Sequence, residues 1–185
     1  KGKEMVRKTA SELTDAGITM IVASPIARAQ ETAKLVAKEL GLASSAIMTD
    51  TRLAEVHFGE KNGAPIAEWQ AIFATLSDKF NTAAVGGETY AQVYARVGDF
   101  LFDIERRYTA KNILIVSHGV PTWLMEKVAK RTPHHKITHE AKLDPASWRE
   151  LEFISYPHNE KFELDLHRPY IDDVPLGDAI GGEWK

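Results

Sequence analysis

Two short apolar runs govern what this chain can fold into. Ile18-Thr19-Met20-Ile21-Val22-Ala23 and Ile113-Leu114-Ile115-Val116 are rich in β-branched residues, and each stops at a serine that introduces a helical stretch. Nearly continuous apolar runs of this length are the mark of strands buried on both faces, as in parallel sheets. After the first run, Ala29, Ala33, Val36, Ala37 and Leu40 recur at helical spacing and Gly41 ends the series. Ser24 is expected to cap that helix, with Pro25 at its first position. After the second run, a helix is expected from about Pro121 to Lys130. The order strand, helix, strand, helix implies a mostly parallel sheet with right-handed crossovers. The expected fold is therefore three-layer α/β/α, covering about residues 1–155.

The elements around these units are less uniform. Met5, Val6, Ala10 and Leu13 recur at helical spacing ahead of Gly17, so the sequence opens on a helix with no strand ahead of it. Residues 42–90 are less regular, but Ile66, Trp69, Ile72, Phe73, Leu76 and Phe80 share a helical period. A further helix is expected from Thr89 through Tyr94, Val97, Leu101 and Ile104, and a strand over Trp148 to Ile154. From Pro157 onward the sequence loses its period and gathers prolines, which reads as an extended tail over residues 156–185.

Bulk properties exclude several classes. A net charge of −3 gives no basis for binding a polyanion through bulk charge. No run of about 18 apolar residues is present to form a membrane span. With no cysteines there is neither a disulfide nor a thiolate metal site, which fits a cytoplasmic location. His134, His135 and His139 lack the glutamate spacing of a zinc-protease helix, and Pro133 opposes a helix there, so no metal and no cofactor is expected.

In open parallel sheets ligands bind beyond the carboxyl ends of the strands. Here those ends carry Ser24, with Arg28 one turn on, and Ser117-His118-Gly119. A guanidinium, an imidazole and helix N-termini make an anion site, because the fork matches phosphate oxygens and free N–H groups point outward. Taken singly, Arg28 also reads as a solvated helix residue, and a Ser-His-Gly tripeptide carries little weight. Glu55, in a polar loop, is a residue type able to protonate a leaving alkoxide, although loop glutamates are usually just solvated. Nearby His57 reads first as surface. Gly86-Gly87-Glu88-Thr89 reads first as a loop and helix N-cap with Glu88 favourable to the helix dipole, and alternatively as the border of a substrate pocket.

Ser24-Pro25-Ile26-Ala27-Arg28-Ala29-Gln30-Glu31-Thr32 resembles the S-P-x-x-R-A-x-Q-T pattern of the histidine phosphatase (phosphoglycerate mutase-like) superfamily, with Glu31 where Gln is common. The family's other motifs follow in order: L-x-E-x-x-F-G at Leu53 to Gly59, Gly63, G-G-E-T at Gly86 to Thr89, Arg96, and Ile113 to Gly119. The resemblance implies that Arg28 and His118, with Ser24 and Gly119, bind a phosphoryl group. It implies that Glu55 is the general acid and that Gly87, Glu88 and Thr89 border a phosphorylated small molecule. Phosphoryl transfer to a histidine followed by hydrolysis would need no cofactor; a mutase reaction is the neighbouring alternative.

That family's nucleophile is the histidine of an R-H-G strand ahead of the first helix, and no R-H-G occurs here. None of the seven histidines lies early enough to replace it. The expectation is a domain whose nucleophile strand belongs upstream of Lys1, or else a degenerate relative. The tail adds a second resemblance: Leu164 to Val174 contains D-L-H-R-P-Y-I-D, which is similar to a segment of bacterial isoleucyl-tRNA synthetase. It implies a phosphatase-like domain joined to a synthetase, whose tRNA, ATP and isoleucine would be handled only by the larger protein. That synthetase's nucleotide-binding motifs are absent from this sequence. In that rival role the domain is a non-catalytic insertion.

Overall fold

The computed structural model describes residues 1–133, 136–138 and 143–151. Its centre is a parallel three-stranded sheet of order β2-β1-β3, formed by β1 (Ile18–Ala23), β2 (Ile47–Thr49) and β3 (Asn112–Val116). Ile21 to Ala23 pair with Ile47 to Thr49 on one side and with Leu114 to Val116 on the other. Both apolar runs are thus strands, and they lie side by side.

Alternation along β1 divides the core in two. Met20 and Val22 join one cluster with Leu53, Val93, Val97, Phe100 and Leu124, while Ile21 and Ala23 join a second with Ala10, Ala33, Val36 and Ala37. Successive side chains of a strand point to opposite faces, so a sheet apolar on both faces requires a helical layer on each. Helices α1 (Gly2–Glu12) and α2 (Ala27–Glu39) supply one layer; α5 (Tyr90–Arg107) and α6 (Gly119–Ala129) supply the other. The fold is three-layer α/β/α, as expected. Ile113 and Ile115 pack on the first cluster, Leu114 and Val116 on the second, yet all four are only half-buried. Among the described residues β3 is an edge strand, bonded to β1 alone.

Three local expectations need correction. Ser24 does not cap α2; the helix begins at Ala27 with Ile26 as its extended N-cap residue. The hydroxyl of Ser24 instead accepts the Ile26 N–H at 3.3 Å, an i to i+2 bond that holds the chain out of the helix for two more residues. Ile66 to Phe80 is not one helix but two short ones, α3 (Ile66–Gln70) and α4 (Leu76–Asn81). The break falls where Thr75 and Asp78 form a capping box, which starts a new helix inside the apolar period. Residues 148–151 form no strand; the Arg149 guanidinium instead bonds the buried carboxylate of Glu126 on α6 at 2.7 Å. Residues 152–154 of that expected strand, the tail over 156–185, and His134, His135 and His139 lie outside the described residues. No helix among the described residues is long and apolar enough to cross a membrane.

Candidate active site

The carboxyl ends of β1 and β3 are adjacent, with Ala23 paired to Val116 and the Ser24 N–H donating to the Val116 carbonyl at 2.9 Å. That register brings Ser24 and His118 together although 94 residues separate them. The Nε2 of His118 lies 2.7 Å from the Ser24 hydroxyl, and both side chains are buried. Gln30 fixes the turn beneath them by donating to the Ser24 carbonyl at 2.6 Å. His118 is the N-cap residue of α6, and Gly119 is that helix's first residue. The two helix N-termini and the His–Ser pair therefore meet at one end of the sheet.

Electrostatics at this end favour an anion. Burial, reinforced by the positive charges of Arg28 and Arg96, pushes the His118 imidazole down to about 4. Both causes act against the charged form of the ring, since burial and neighbouring positive charge each disfavour an imidazolium. Arg28 is exposed, and its guanidinium has no hydrogen-bond or ion-pair partner among the described residues. With five N–H donors unspent, it is suited to a bidentate oxyanion.

The segment bearing Glu55 is tied to the same end of the sheet by a different route. The segment after β2 turns through a short 3-10 helix, Thr51–Leu53, and Leu53 is fully buried. Ser117, at the end of β3, donates its hydroxyl to the Leu53 carbonyl at 2.7 Å and so ties this segment to the strand that carries His118. The half-buried Glu55 carboxylate accepts the N–H of Val56 at 3.0 Å. Its charge reaches Tyr90, whose phenol is pushed up to about 12, chiefly by burial and secondarily by Glu55.

The loops beyond Glu55 and before α5 are interlocked. The Glu88 N–H donates to the His57 carbonyl at 2.9 Å, and the Glu60 N–H donates to the Val85 carbonyl at 2.9 Å. Gly59, at φ +60°, lies so close that a Cβ there would sit 2.2 Å from the Val85 oxygen. A Cβ at Gly87 would likewise sit only 3.0 Å from the His57 oxygen. Thr89 caps α5 in a capping box with Gln92, and Glu88 is bonded to Arg96 on the same helix at 2.8 Å. The structure thus gathers the segment bearing Glu55 and the Gly87-Glu88-Thr89 turn into one unit. Of the seven histidines, His57 and His118 are among the described residues. His57 is exposed, with Nδ1 2.9 Å from the Gly86 carbonyl. No cluster of three or more metal-ligating side chains occurs among the described residues.

Comparison with known families decides the classification: the model of the histidine phosphatase superfamily (branch 1) matches residues 1–164. The chain belongs to the histidine phosphatase superfamily. Among its relatives, phosphoserine phosphatase 1 of Hydrogenobacter thermophilus is 27% identical over 126 residues, which span 65% of this chain and 58% of that protein. A probable phosphoglycerate mutase of an Enterobacter species is 30% identical over 125 residues, spanning 65% and 57% of the two chains. The match covers 58% of the first of these curated relatives and 61% of two mycobacterial ones, about three fifths of their length. Of solved structures, Bacillus stearothermophilus YhfR superposes with a TM-score of 0.64 at 24% identity, covering 79% of this chain and 73% of that one. Mycobacterial glucosyl-3-phosphoglycerate phosphatase gives a TM-score of 0.60 at 23% identity, covering 71% and 66%. At these identities the superpositions establish the histidine phosphatase fold, a parallel sheet between helical layers.

Two features of the site have no local signal in the sequence. Arg96 appeared only as one member of a motif series, but its guanidinium bonds Glu88 and the carbonyls of Arg52 and Glu55. Ser117 stands at the end of a strand, and its bond to Leu53 has no local signal because 64 residues separate the partners.

Proposed function

We propose that this chain is the greater part of a phosphomonoesterase domain that works through a phosphohistidine. The buried His118 imidazole, held at the sheet end by Ser24 and flanked by the charges of Arg28 and Arg96, carries this reading. Arg28, His118 and the N-terminus of α6 at Gly119 would hold the phosphoryl oxygens and stabilise charge as it develops. Glu55 would protonate the leaving oxygen, while Gly87 and Thr89 would border the alcohol portion of the substrate. The attacking nitrogen would come from a histidine on an R-H-G strand that this sequence does not contain. Among the described residues β3 is unpaired on one side, which supports such a strand: a parallel partner there would end beside Ser117 and His118, and would cover Ile113 to Val116. The histidine would attack phosphorus, Glu55 would deliver its proton to the departing alkoxide, and water would then release phosphate. The relatives named for phosphoserine and glucosyl-3-phosphoglycerate support a small phosphorylated molecule as substrate. The relative named as a probable mutase keeps transfer to a second hydroxyl as the neighbouring reaction.

The test has two arms. The 185-residue chain should bind inorganic phosphate, lose that binding on His118→Ala, and fail to turn over p-nitrophenyl phosphate. The natural gene product, carrying whatever residues adjoin this sequence, should turn the same ester over and trap phosphate on a histidine. Turnover by the 185-residue chain that disappears on His118→Ala would overturn the account of the nucleophile.

One sequence feature supports a second reading. The D-L-H-R-P-Y-I-D segment begins at Asp165, immediately beyond the residues matched to the family. We propose on that basis that the phosphatase-like domain adjoins a part of different origin, similar to isoleucyl-tRNA synthetase, in which case it serves as a non-catalytic insertion. The reading frame on either side of these residues distinguishes the two: an R-H-G after an apolar strand favours the esterase, and synthetase nucleotide motifs favour the insertion.

A further inference from the structure

We propose that Arg96 and Glu88 form a bracket that positions Glu55, an inference that rests on Glu55 being the proton donor. Arg96 projects from α5 and donates Nε to Glu88 Oε1 at 2.8 Å and Nη2 to Glu88 Oε2 at 3.0 Å. The same guanidinium donates Nη1 to the Arg52 carbonyl and Nη2 to the Glu55 carbonyl, the latter at 3.4 Å. A guanidinium has five N–H donors, and four are spent here on the protein. Arg96 is therefore committed to the Glu88 carboxylate and two backbone carbonyls, whereas Arg28 spends none of its donors on the described residues. Glu88 completes the bracket from the other side, because its Oε2 also accepts the N–H of His57 at 3.3 Å.

The pair thus grips the segment at Arg52, Glu55 and His57, on both sides of the residue whose side chain matters. The Glu55 carboxylate is folded onto the N–H of the next residue, Val56, so its direction follows the backbone between residues 55 and 57. A second tether runs parallel to the first: Arg52 bonds Asp50 and, at 2.7 Å, Asp103 further along α5. Helix α5 is accordingly the ruler against which the proton donor is set, and Arg96 is its nearest mark. A loop carboxylate must lie within hydrogen-bond reach of one leaving oxygen, and a displacement of about 1 Å at such a site costs on the order of a hundredfold in rate.

The experiment compares two esters in the natural gene product. An alkyl phosphomonoester has a basic leaving group that needs a proton, whereas p-nitrophenolate leaves readily without one. Glu55→Gln should lower kcat at least about tenfold more on the alkyl ester than on the aryl ester. Arg96→Lys, which keeps the charge but loses the fork, and Glu88→Gln should show the same preferential loss. Equal losses on both esters would overturn the bracket, since a general loss of structure does not distinguish leaving groups. If Glu55→Gln itself shows no such preference, Glu55 is not the acid, and the bracket falls with that reading for an identifiable reason.

A second measurement needs no turnover and uses the 185-residue chain. Amide hydrogen exchange in Arg96→Lys should quicken at least about tenfold over residues 52–57 while amides of α2 and α6 keep their rates. Unchanged exchange over 52–57, or an equal increase throughout, would overturn the proposal.

Discussion

His118 and Ser24 are joined by a buried 2.7 Å contact between Nε2 and the serine hydroxyl, across the carboxyl ends of two paired strands. A hydroxyl both donates and accepts, so Ser24 serves the imidazole whether or not Nε2 carries a proton. The pair fixes the ring plane and leaves Nδ1 as the nitrogen without a partner among the described residues. Ser24→Ala should cost about 1–2 kcal/mol in urea unfolding, because a buried ring nitrogen loses its partner with little change in volume. It should also weaken phosphate binding in titration calorimetry. Unaltered stability would show that the contact does not hold the ring.

The depressed titration of His118 has a definite sign. In an unfolded chain the imidazole titrates near 6.5, and in the folded protein near 4, because burial and the charges of Arg28 and Arg96 oppose its protonation. Between those values the unfolded chain binds the extra proton. This contribution to stability is therefore complete above about pH 6.5 and declines as pH falls toward 4, by on the order of 3 kcal/mol in all. His118→Gln should flatten the pH dependence of unfolding in that window relative to wild type. Parallel curves for the two proteins would sink this assignment.

An anion in the pocket reverses the same balance. A divalent oxyanion beside His118 favours the imidazolium, so binding should draw in a proton. Sulfate is a suitable probe because it stays divalent from pH 5 to 8. Calorimetric titration at pH 5.5 in two buffers of different ionisation enthalpy should show proton uptake, and His118→Gln should abolish it. Equal heats in the two buffers would mean that the anion binds away from His118.

The legible parts of the molecule were those whose signal is local. β1 and β3 declared themselves by unbroken β-branched runs, and α5 by Thr89 and its apolar period. β2 did not, because three residues carry no period of their own; Ile47 to Thr49 are a strand only because Ile21 to Ala23 lie beside them. The break between α3 and α4 had a local marker in Thr75 and Asp78, but the apolar spacing across residues 66–80 masked it. At the site, Ser24, Arg28, Glu55 and His118 were visible as residues at strand ends or in a motif order. The grip of Arg96 on two carbonyls was not visible, since backbone acceptors leave no trace in side-chain identity.

Arg52 supplies a test of the second tether. Its guanidinium bonds Asp50 and Asp103 at 2.7 Å each and lies over the Phe100 ring. The hydrogen bonds from Arg52 hold the Asp50 carboxyl below its ordinary range even though burial works the other way. Arg52→Met should cost about 2 kcal/mol at pH 7, where the Asp50 carboxylate is left half-buried without its partner. The sign follows from Asp50: a depressed carboxyl stabilises the fold above its ordinary pKa, and the benefit fades as pH falls below it. The penalty should therefore shrink when unfolding is repeated at pH 3. An equal penalty at both values would place the effect in packing on Phe100.

Gly59 separates backbone strain from close approach. Its φ of +60° alone makes a side chain costly, by about 1 kcal/mol. Gly86 shares that condition at φ +68°, but a Cβ there meets nothing within 4 Å. At Gly59 the added carbon would lie 2.2 Å from the Val85 oxygen and 2.5 Å from the Gly87 nitrogen, both backbone atoms with no rotamer to move. The loops must part to admit it, which breaks the Glu60 to Val85 and Glu88 to His57 bonds that hold the Glu55 segment against the α5 entrance. Gly86→Ala should thus cost about 1 kcal/mol, and Gly59→Ala about 2 kcal/mol more, from overpacking and the lost bonds. Only Gly59→Ala should raise hydrogen exchange at Glu60 and Glu88. If the two alanine variants unfold at the same urea concentration, the two loops are not interlocked at Gly59, and the Glu55 segment is held by the Arg96 and Arg52 tethers alone.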